Sequence, residues 1–203
     1  MPINAILLDR DGTVIKDKHY LSDPRGVSLL PGVGETLSCL TGEGMRFFLV
    51  SNQSGVGRGL FSAETVDAVN ARLAETLLEY GVRFTDMLFC PHKPDDACRC
   101  RKPAIGMWNT LKERYKLSPK ECLMVGDKEE DMLFAGTAGL ALRVLILTGK
   151  GSNTARKLGL RLPAENCFEF RPDPVSPAHP HLLIPSLRFL RKGLDMARMA
   201  GYA

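Results

Sequence analysis

The chain of 203 residues reads as an α/β protein, with a parallel sheet covered by helices on both faces. Three observations predict this. Short apolar runs alternate with amphipathic stretches over the first 150 residues. The runs are apolar throughout and end in charge, as strands buried on both faces do. Three of them end in clusters of polar residues, and open α/β sheets hold their ligands at the carboxyl ends of strands.

The elements follow in order. "INAILLD" (3–9) is a first strand, and "GVGETLSCLTGEG" (32–44) has helical spacing with glycine stops. "MRFFLVSN" (45–52) is a second strand. The stretch 62–81 opens on Ser62 as N-cap, carries Thr65 where a capping box would have Glu, and closes at a glycine. "FTDMLFC" (84–90) is a third strand, and a helix over roughly 105–116 leads to "ECLMVGD" (121–127). A helix through "EEDMLFAGTAG" and a strand "ALRVLIL" (141–147) complete the alternation, which gives a three-layer, Rossmann-like arrangement.

After Gly149 the pattern weakens. "FRPDPVSPAHPHLL" (170–183) holds four prolines and reads as a surface crossing. "IPSLRFLRKGLDMARMA" reads as a terminal helix with a solvated basic face. The expectation is one domain over 1–203, with a motif-bearing core at 4–150, a metal-site loop at 90–100 and an extension at 151–203. The segments after the first and third strands are too short to fold as a large cap. The site should therefore be open, bordered by the 15–26 and 90–100 loops.

Composition narrows the function. Apolar residues make up 44% and charged residues 25%, as in a soluble globular domain. A net charge of +4 permits an anionic ligand and is too weak to imply nucleic acid. No apolar run approaches the ~18 residues that span a bilayer. The N-terminus shows no secretory pattern, so a cytoplasmic monomer is expected. Of six cysteines, Cys39, Cys122 and Cys167 read as buried free thiols.

Chemistry gathers at the strand ends. The first strand ends in Asp9-Arg10-Asp11-Gly12-Thr13. Asp9 and Asp11, two apart on an extended segment, face the same way and repel unless they share a cation or a proton. Asp127, at the end of the strand at 121–127, is a natural third oxygen ligand, and hard oxygens suit Mg²⁺. Taken alone, "DRDGT" could also be a plain turn. The second strand ends in Ser51-Asn52-Gln53-Ser54-Gly55, where Ser51 and Asn52 can donate to phosphate oxygens. The glycines there let backbone N–H groups approach an anion, or, at Gly57 and Gly59, only loosen a loop. No dinucleotide-binding or P-loop pattern is present.

Cys90, His92, Cys98 and Cys100 form C-x-H-x5-C-x-C. Three thiolates and an imidazole suit tetrahedral Zn²⁺, and four protein ligands make a structural site. A zinc-finger role is weakened by the absence of a second ligand pair and of a basic recognition helix. A zinc-fixed Cys100 would fix the backbone that launches Arg101 and Lys102, leaving Arg101 to clamp a remote group, such as a second phosphate.

"DRDGT", "SNQSG", "RKP" and "GDKEED", in this order, resemble the four motifs of the haloacid dehalogenase-like phosphohydrolases, over residues 4 to about 150. The metal loop is similar to that of the branch containing heptose-bisphosphate and histidinol-phosphate phosphatases. The resemblance implies Asp9 as nucleophile, forming an aspartyl-phosphate, and Asp11 as proton donor and then base. It implies Mg²⁺ held by Asp9, the Asp11 main-chain carbonyl and Asp127, with Ser51 and Lys102 steadying the phosphoryl group. Asp17, Lys18, His19 and Tyr20 occupy positions that hold the sugar in that family, and Asn52, Gln53, Ser54, Arg101 and Lys128 complete the expected substrate site. Asp131 either supports Lys128 or Lys102 or sits on a surface helix. The implied activity is Mg²⁺-dependent removal of the C7 phosphate of a heptose 1,7-bisphosphate. The alternatives are histidinol phosphate or another small phosphomonoester as substrate, or a non-catalytic zinc-stabilised binding module.

Overall fold

The structure, a computed structural model, describes residues 3–164 and 167–201. Its strands are β1 (Ala5–Leu8), β2 (Arg46–Asn52), β3 (Phe84–Cys90), β4 (Cys122–Gly126), β5 (Leu142–Ile146), β6 (Glu169–Phe170) and β7 (Leu182–Ile184). They form one sheet in the order β3-β2-β1-β4-β5-β7-β6. Every pairing is parallel except β6 with β7. β1 is thus central, and its register sets Leu8 beside Leu49 and Val125. The three polar strand ends predicted from sequence therefore open on one edge of the sheet.

The two-residue period of a strand divides each apolar run between two cores. Ile6, Leu8, Phe47, Leu49, Leu123 and Val125 pack with α1 (Val33–Gly42), α2 (Ala63–Leu78) and α6 (Leu190–Met199). Ala5, Leu7, Phe48, Val50, Cys122 and Met124 pack on the other face with α3 (Gly106–Tyr115) and α4 (Glu129–Ala138). The helices present their apolar residues at helical spacing, as at Val69, Leu73 and Leu77 of α2. Each fully buried leucine contributes on the order of 2 kcal/mol. Ser62 caps α2, accepting a hydrogen bond from the Thr65 amide at 3.3 Å.

The extension after Gly149 differs from expectation. The proline-rich 170–183 stretch is not only a surface crossing, because its two ends are strands. Leu182, Leu183 and Ile184 are buried, and β7 pairs in parallel with β5. Three apolar residues behind four prolines carry too little period-2 signal to stand out, and only the edge of β5 makes them a strand. A short α5 (Gly151–Lys157) also escaped the sequence reading, and its Ala155 packs with Leu145 and Leu183. Of the three outlying cysteines only Cys122 is buried; Cys39 and Cys167 are exposed. No helix among the described residues is long and apolar enough to cross a membrane.

Candidate active site

Asp9 follows directly on β1 and Asp127 on β4, and neighbouring parallel strands bring the two side by side. Each carboxylate has one oxygen taken. Asp9 Oδ1 accepts from Lys102 Nζ at 2.7 Å, and Asp127 Oδ2 accepts from the Lys150 amide at 2.7 Å. The other two oxygens, Asp9 Oδ2 and Asp127 Oδ1, are buried without a hydrogen bond. Both lie 3.6 Å from Lys128 Nζ. Buried unbonded carboxylate oxygens are costly unless a cation meets them. Burial pushes the Asp127 carboxyl up to about 7; the charges of Asp9 and Asp131 add to this, while Lys128 opposes it. For Asp9 burial acts in the same direction, but Lys102 and Lys128 outweigh it and hold the carboxyl below its ordinary value. Three buried carboxylates, Asp9, Asp127 and Asp131, thus face two ammonium groups. The donor set is hard oxygen, which fits a small divalent cation.

Glycine shapes this pair. A Cβ on Gly12 would lie 2.4 Å from Asp127 Oδ2, and one on Gly149 would lie 2.2 Å from the same atom. Both glycines have positive φ, so only glycine fits against Asp127 on either side.

Asp131, left open by the sequence, is part of the site. It is 1% exposed, its Oδ1 sits 2.6 Å from Lys102 Nζ, and its Oδ2 accepts from the Lys128 amide at 3.1 Å. With both oxygens taken, it orients Lys102 rather than offering a cation ligand. It caps α4 and reaches back under β4, a contact that helical spacing alone does not disclose.

Asp11 corrects an expectation. Its carboxylate stands outside the cluster of Asp9, Asp127 and Asp131, although it lines the same cleft as Asp9. Asp11 is bonded to Arg10 and to Gln53 Nε2, the latter at 2.9 Å. The anticipated repulsion between Asp9 and Asp11 is absent because each has its own cation. Asp11 could serve a metal only through its main-chain carbonyl.

The polar end of β2 is also reassigned. Asn52 does not present its amide to a phosphate: Nδ2 donates to the Lys102 carbonyl and Oδ1 accepts from the Lys102 amide, both at 3.0 Å. This two-point clamp positions Lys102 directly, in addition to any help from the metal loop. Lys102 is 2% exposed, and its ammonium contacts Asp9, Asp131 and the Val50 carbonyl. Burial works against the charge of Lys102, but Asp131 and Asp9 outweigh it and raise the pKa. Ser51 is buried, with its Oγ accepting from Gln53 Nε2 at 2.6 Å, behind the cleft wall rather than on it. The Gly57 amide donates to the Pro91 carbonyl, so this glycine ties its turn to the metal loop instead of meeting an anion.

In that loop the four donors converge. Cys90 Sγ lies 3.5 Å from Cys98 Sγ and 3.1 Å from Cys100 Sγ, while His92 Nδ1 lies 3.5 Å from Cys90 Sγ and 3.3 Å from Cys100 Sγ. Zinc with arms of about 2.3 Å sets donor separations of about 3.8 Å, so the donor set fits zinc with little movement. The neighbouring Arg101 reaches back to the His92 carbonyl at 3.3 Å.

These groups border a cleft of about 220 Å³. Asp9, Asp11 and Lys102 line it, with Asn52, Gln53, Ser54, Arg101 and Lys128. From the loop after β1 come Asp17, His19 and Tyr20, but not Lys18, whose charge acts on Asp23 instead. His19 and Tyr20 both have positive φ, 52° and 59°, a strained pair at the cleft mouth braced by the His19 amide donating to Asp17 Oδ1. Glu130 and Lys150 also line the cleft and were not foreseen. Lys150 follows β5, whose polar end is too short to read as a motif.

A family model described as haloacid dehalogenase-like hydrolase matches residues 19–139, and a related hydrolase-like model matches 99–182. The chain belongs to the haloacid dehalogenase-like hydrolases. It is similar to the D-glycero-β-D-manno-heptose-1,7-bisphosphate 7-phosphatase of Haemophilus ducreyi, with 39% identity over 72% of this chain and 84% of that protein. The Vibrio cholerae enzyme of the same name is 35% identical over 72% of this chain and 82% of its own. Among solved structures, the D,D-heptose 1,7-bisphosphate phosphatase of B. bronchiseptica, complexed with magnesium and phosphate, superposes with a TM-score of 0.80. It is 30% identical and covers 96% of this chain and 99% of its own. The Burkholderia thailandensis enzyme gives 0.65 at 26% identity, over 95% and 97%. This haloacid dehalogenase-like hydrolase is a phosphoric monoester hydrolase, not a non-catalytic binding module.

Proposed function

We propose that this hydrolase removes the C7 phosphate of D-glycero-D-manno-heptose 1,7-bisphosphate through an aspartyl-phosphate on Asp9. The unbonded oxygens Asp9 Oδ2 and Asp127 Oδ1 carry the reading, because they form a buried, cation-hungry pair at adjacent strand ends. They would hold Mg²⁺ together with the Asp11 carbonyl. Bound there, the ion would screen the charge of Asp9 from that of the phosphoryl group. Asp9 attacks phosphorus, Asp11 protonates the departing sugar oxygen, and Asp11 then takes a proton from water as the aspartyl-phosphate is hydrolysed. Lys102 holds Asp9 in line and meets the phosphoryl charge, while Ser51 supports Gln53 from behind the cleft wall. Asp17, His19 and Tyr20 border the sugar. The chain acts on this small sugar phosphate as a monomer in the cytoplasm, without nucleic acid or membrane.

The Cys90, His92, Cys98 and Cys100 cluster would hold a structural Zn²⁺. Protein purified without added zinc should contain about one Zn per chain. Cys98→Ser should lower zinc content and melting temperature together. Full zinc occupancy in a Cys90→Ser, Cys98→Ser double variant would place the metal elsewhere.

Arg101 reads the phosphate that stays. It lines the cleft beside Lys102, and no carboxylate among the described residues pairs with it. Its target is the same in ground and transition states, so Arg101→Ala should raise KM about tenfold or more on the bisphosphate with little loss of kcat. The effect should shrink on a heptose 7-phosphate. Phosphate release from both sugars, and from histidinol phosphate, checks the substrate. Equal weakening on bisphosphate and monophosphate would remove Arg101 from that role.

A further inference from the structure

We propose that Arg10, seated on Asn70, is the positioning residue that aims Asp11 at the leaving oxygen. This rests on the reading of Asp11 as the proton carrier. Arg10 lies between the two aspartates in sequence, yet its side chain is 1% exposed and does not line the cleft. A buried guanidinium is costly unless its charge and donors are met. Here they are met by two groups. Nε donates to Asp11 Oδ2 at 3.1 Å, Nη2 to Asp11 Oδ1 at 3.4 Å, and Nη1 to Asn70 Oδ1 at 3.0 Å. Asn70 is buried on α2, sixty positions along the chain. The catalytic loop is thus anchored to a helix through a charged side chain where an apolar one would pack at less cost.

The two oxygens of Asp11 are not equivalent. Oδ2 accepts from Arg10 Nε and from Gln53 Nε2 at 2.9 Å, whereas Oδ1 has only the long Nη2 contact. An oxygen that already accepts two donors has no room for a proton. Oδ1 is therefore the atom that carries it. In the first half-reaction an Asp9 oxygen bonds to phosphorus, the phosphorus–sugar oxygen bond breaks, and the Asp11 proton passes to that oxygen. In the second, a water oxygen bonds to phosphorus, the Asp9–phosphorus bond breaks, and the water proton returns to Asp11. One carboxyl must keep one direction through both steps, whatever its charge. A fork held from a separate helix does this; a free loop aspartate, 18% exposed, does not.

The test separates aim from stability by changing the leaving group. A sugar alkoxide needs a proton to depart, and p-nitrophenolate does not. Asn70→Ala should slow leaving-group release in a single turnover about tenfold or more with heptose 1,7-bisphosphate, and less than about twofold with p-nitrophenyl phosphate, the later hydrolysis of the aspartyl-phosphate being common to both. Asn70→Asp, which keeps an acceptor oxygen, should restore the ratio. Should Asn70→Ala not fold, Asn70→Leu, which fills the space but offers Arg10 no acceptor, should give the same split. Equal loss of that release step on both substrates, or loss on neither, overturns the proposal. A wild-type chain that releases no phosphate from the sugar overturns the proposed function and this inference with it, whereas an active wild type with uniform loss overturns this inference alone.

Discussion

Asp9→Asn should reduce phosphate release by at least about 10³-fold, because a neutral amide cannot attack phosphorus. The fold should survive the change. Asparagine is nearly isosteric with Asp9 and keeps an acceptor for Lys102 Nζ, now 2.7 Å from Oδ1. Removing one of three buried carboxylates also relieves Asp127, whose carboxyl is pushed up by burial and by the Asp9 charge. The melting temperature in Mg²⁺-free buffer should therefore hold or rise while activity disappears. A purified Asp9→Asn protein that keeps more than a few per cent of wild-type turnover would end the covalent mechanism.

Lys102→Met should cost both activity and stability. The methionine has similar volume but no charge, and it leaves Asp9 and Asp131 facing each other across the gap. Removing one partner of a buried ion pair costs about 3–5 kcal/mol. Turnover should fall by about 10² or more, since the cation facing the phosphoryl group is lost. Adding Asp131→Asn should recover much of the stability, because it removes a carboxylate left without its partner, and should recover none of the activity. Urea midpoints and kcat for the two single variants and the double close this cycle. A Lys102→Met protein as stable as wild type would mean that the buried triad does not hold the site together.

These two residues illustrate what the sequence could and could not disclose. Asp9 and Asp127 were legible because each follows an apolar run, and the ends of parallel strands converge. The four metal-loop donors were legible because they lie within eleven positions of one another, from Cys90 to Cys100. Asp131 was not, because it sits inside a helix and turns back into the site through a capping contact. The Asn52 clamp on Lys102 and the Arg10–Asn70 link span 50 and 60 positions, and no local pattern encodes such pairings. Sequence alone leaves Asn52 ambiguous, because a polar residue at a strand end can serve either a ligand or a neighbouring backbone. Only the packing of the 90–103 loop against β2 decides between the two. β7 stayed hidden for a related reason: a three-residue strand is made by its partner, not by its own pattern.

The central claim is that two unbonded oxygens, on Asp9 and Asp127, form a cation-dependent phosphatase centre. Phosphate release from D-glycero-D-manno-heptose 1,7-bisphosphate, measured with and without added Mg²⁺, tests it most directly. A single equivalent of phosphate per sugar should be released with Mg²⁺ and none without it. Release at the same rate in metal-free buffer, or no release in the presence of Mg²⁺, would contradict it.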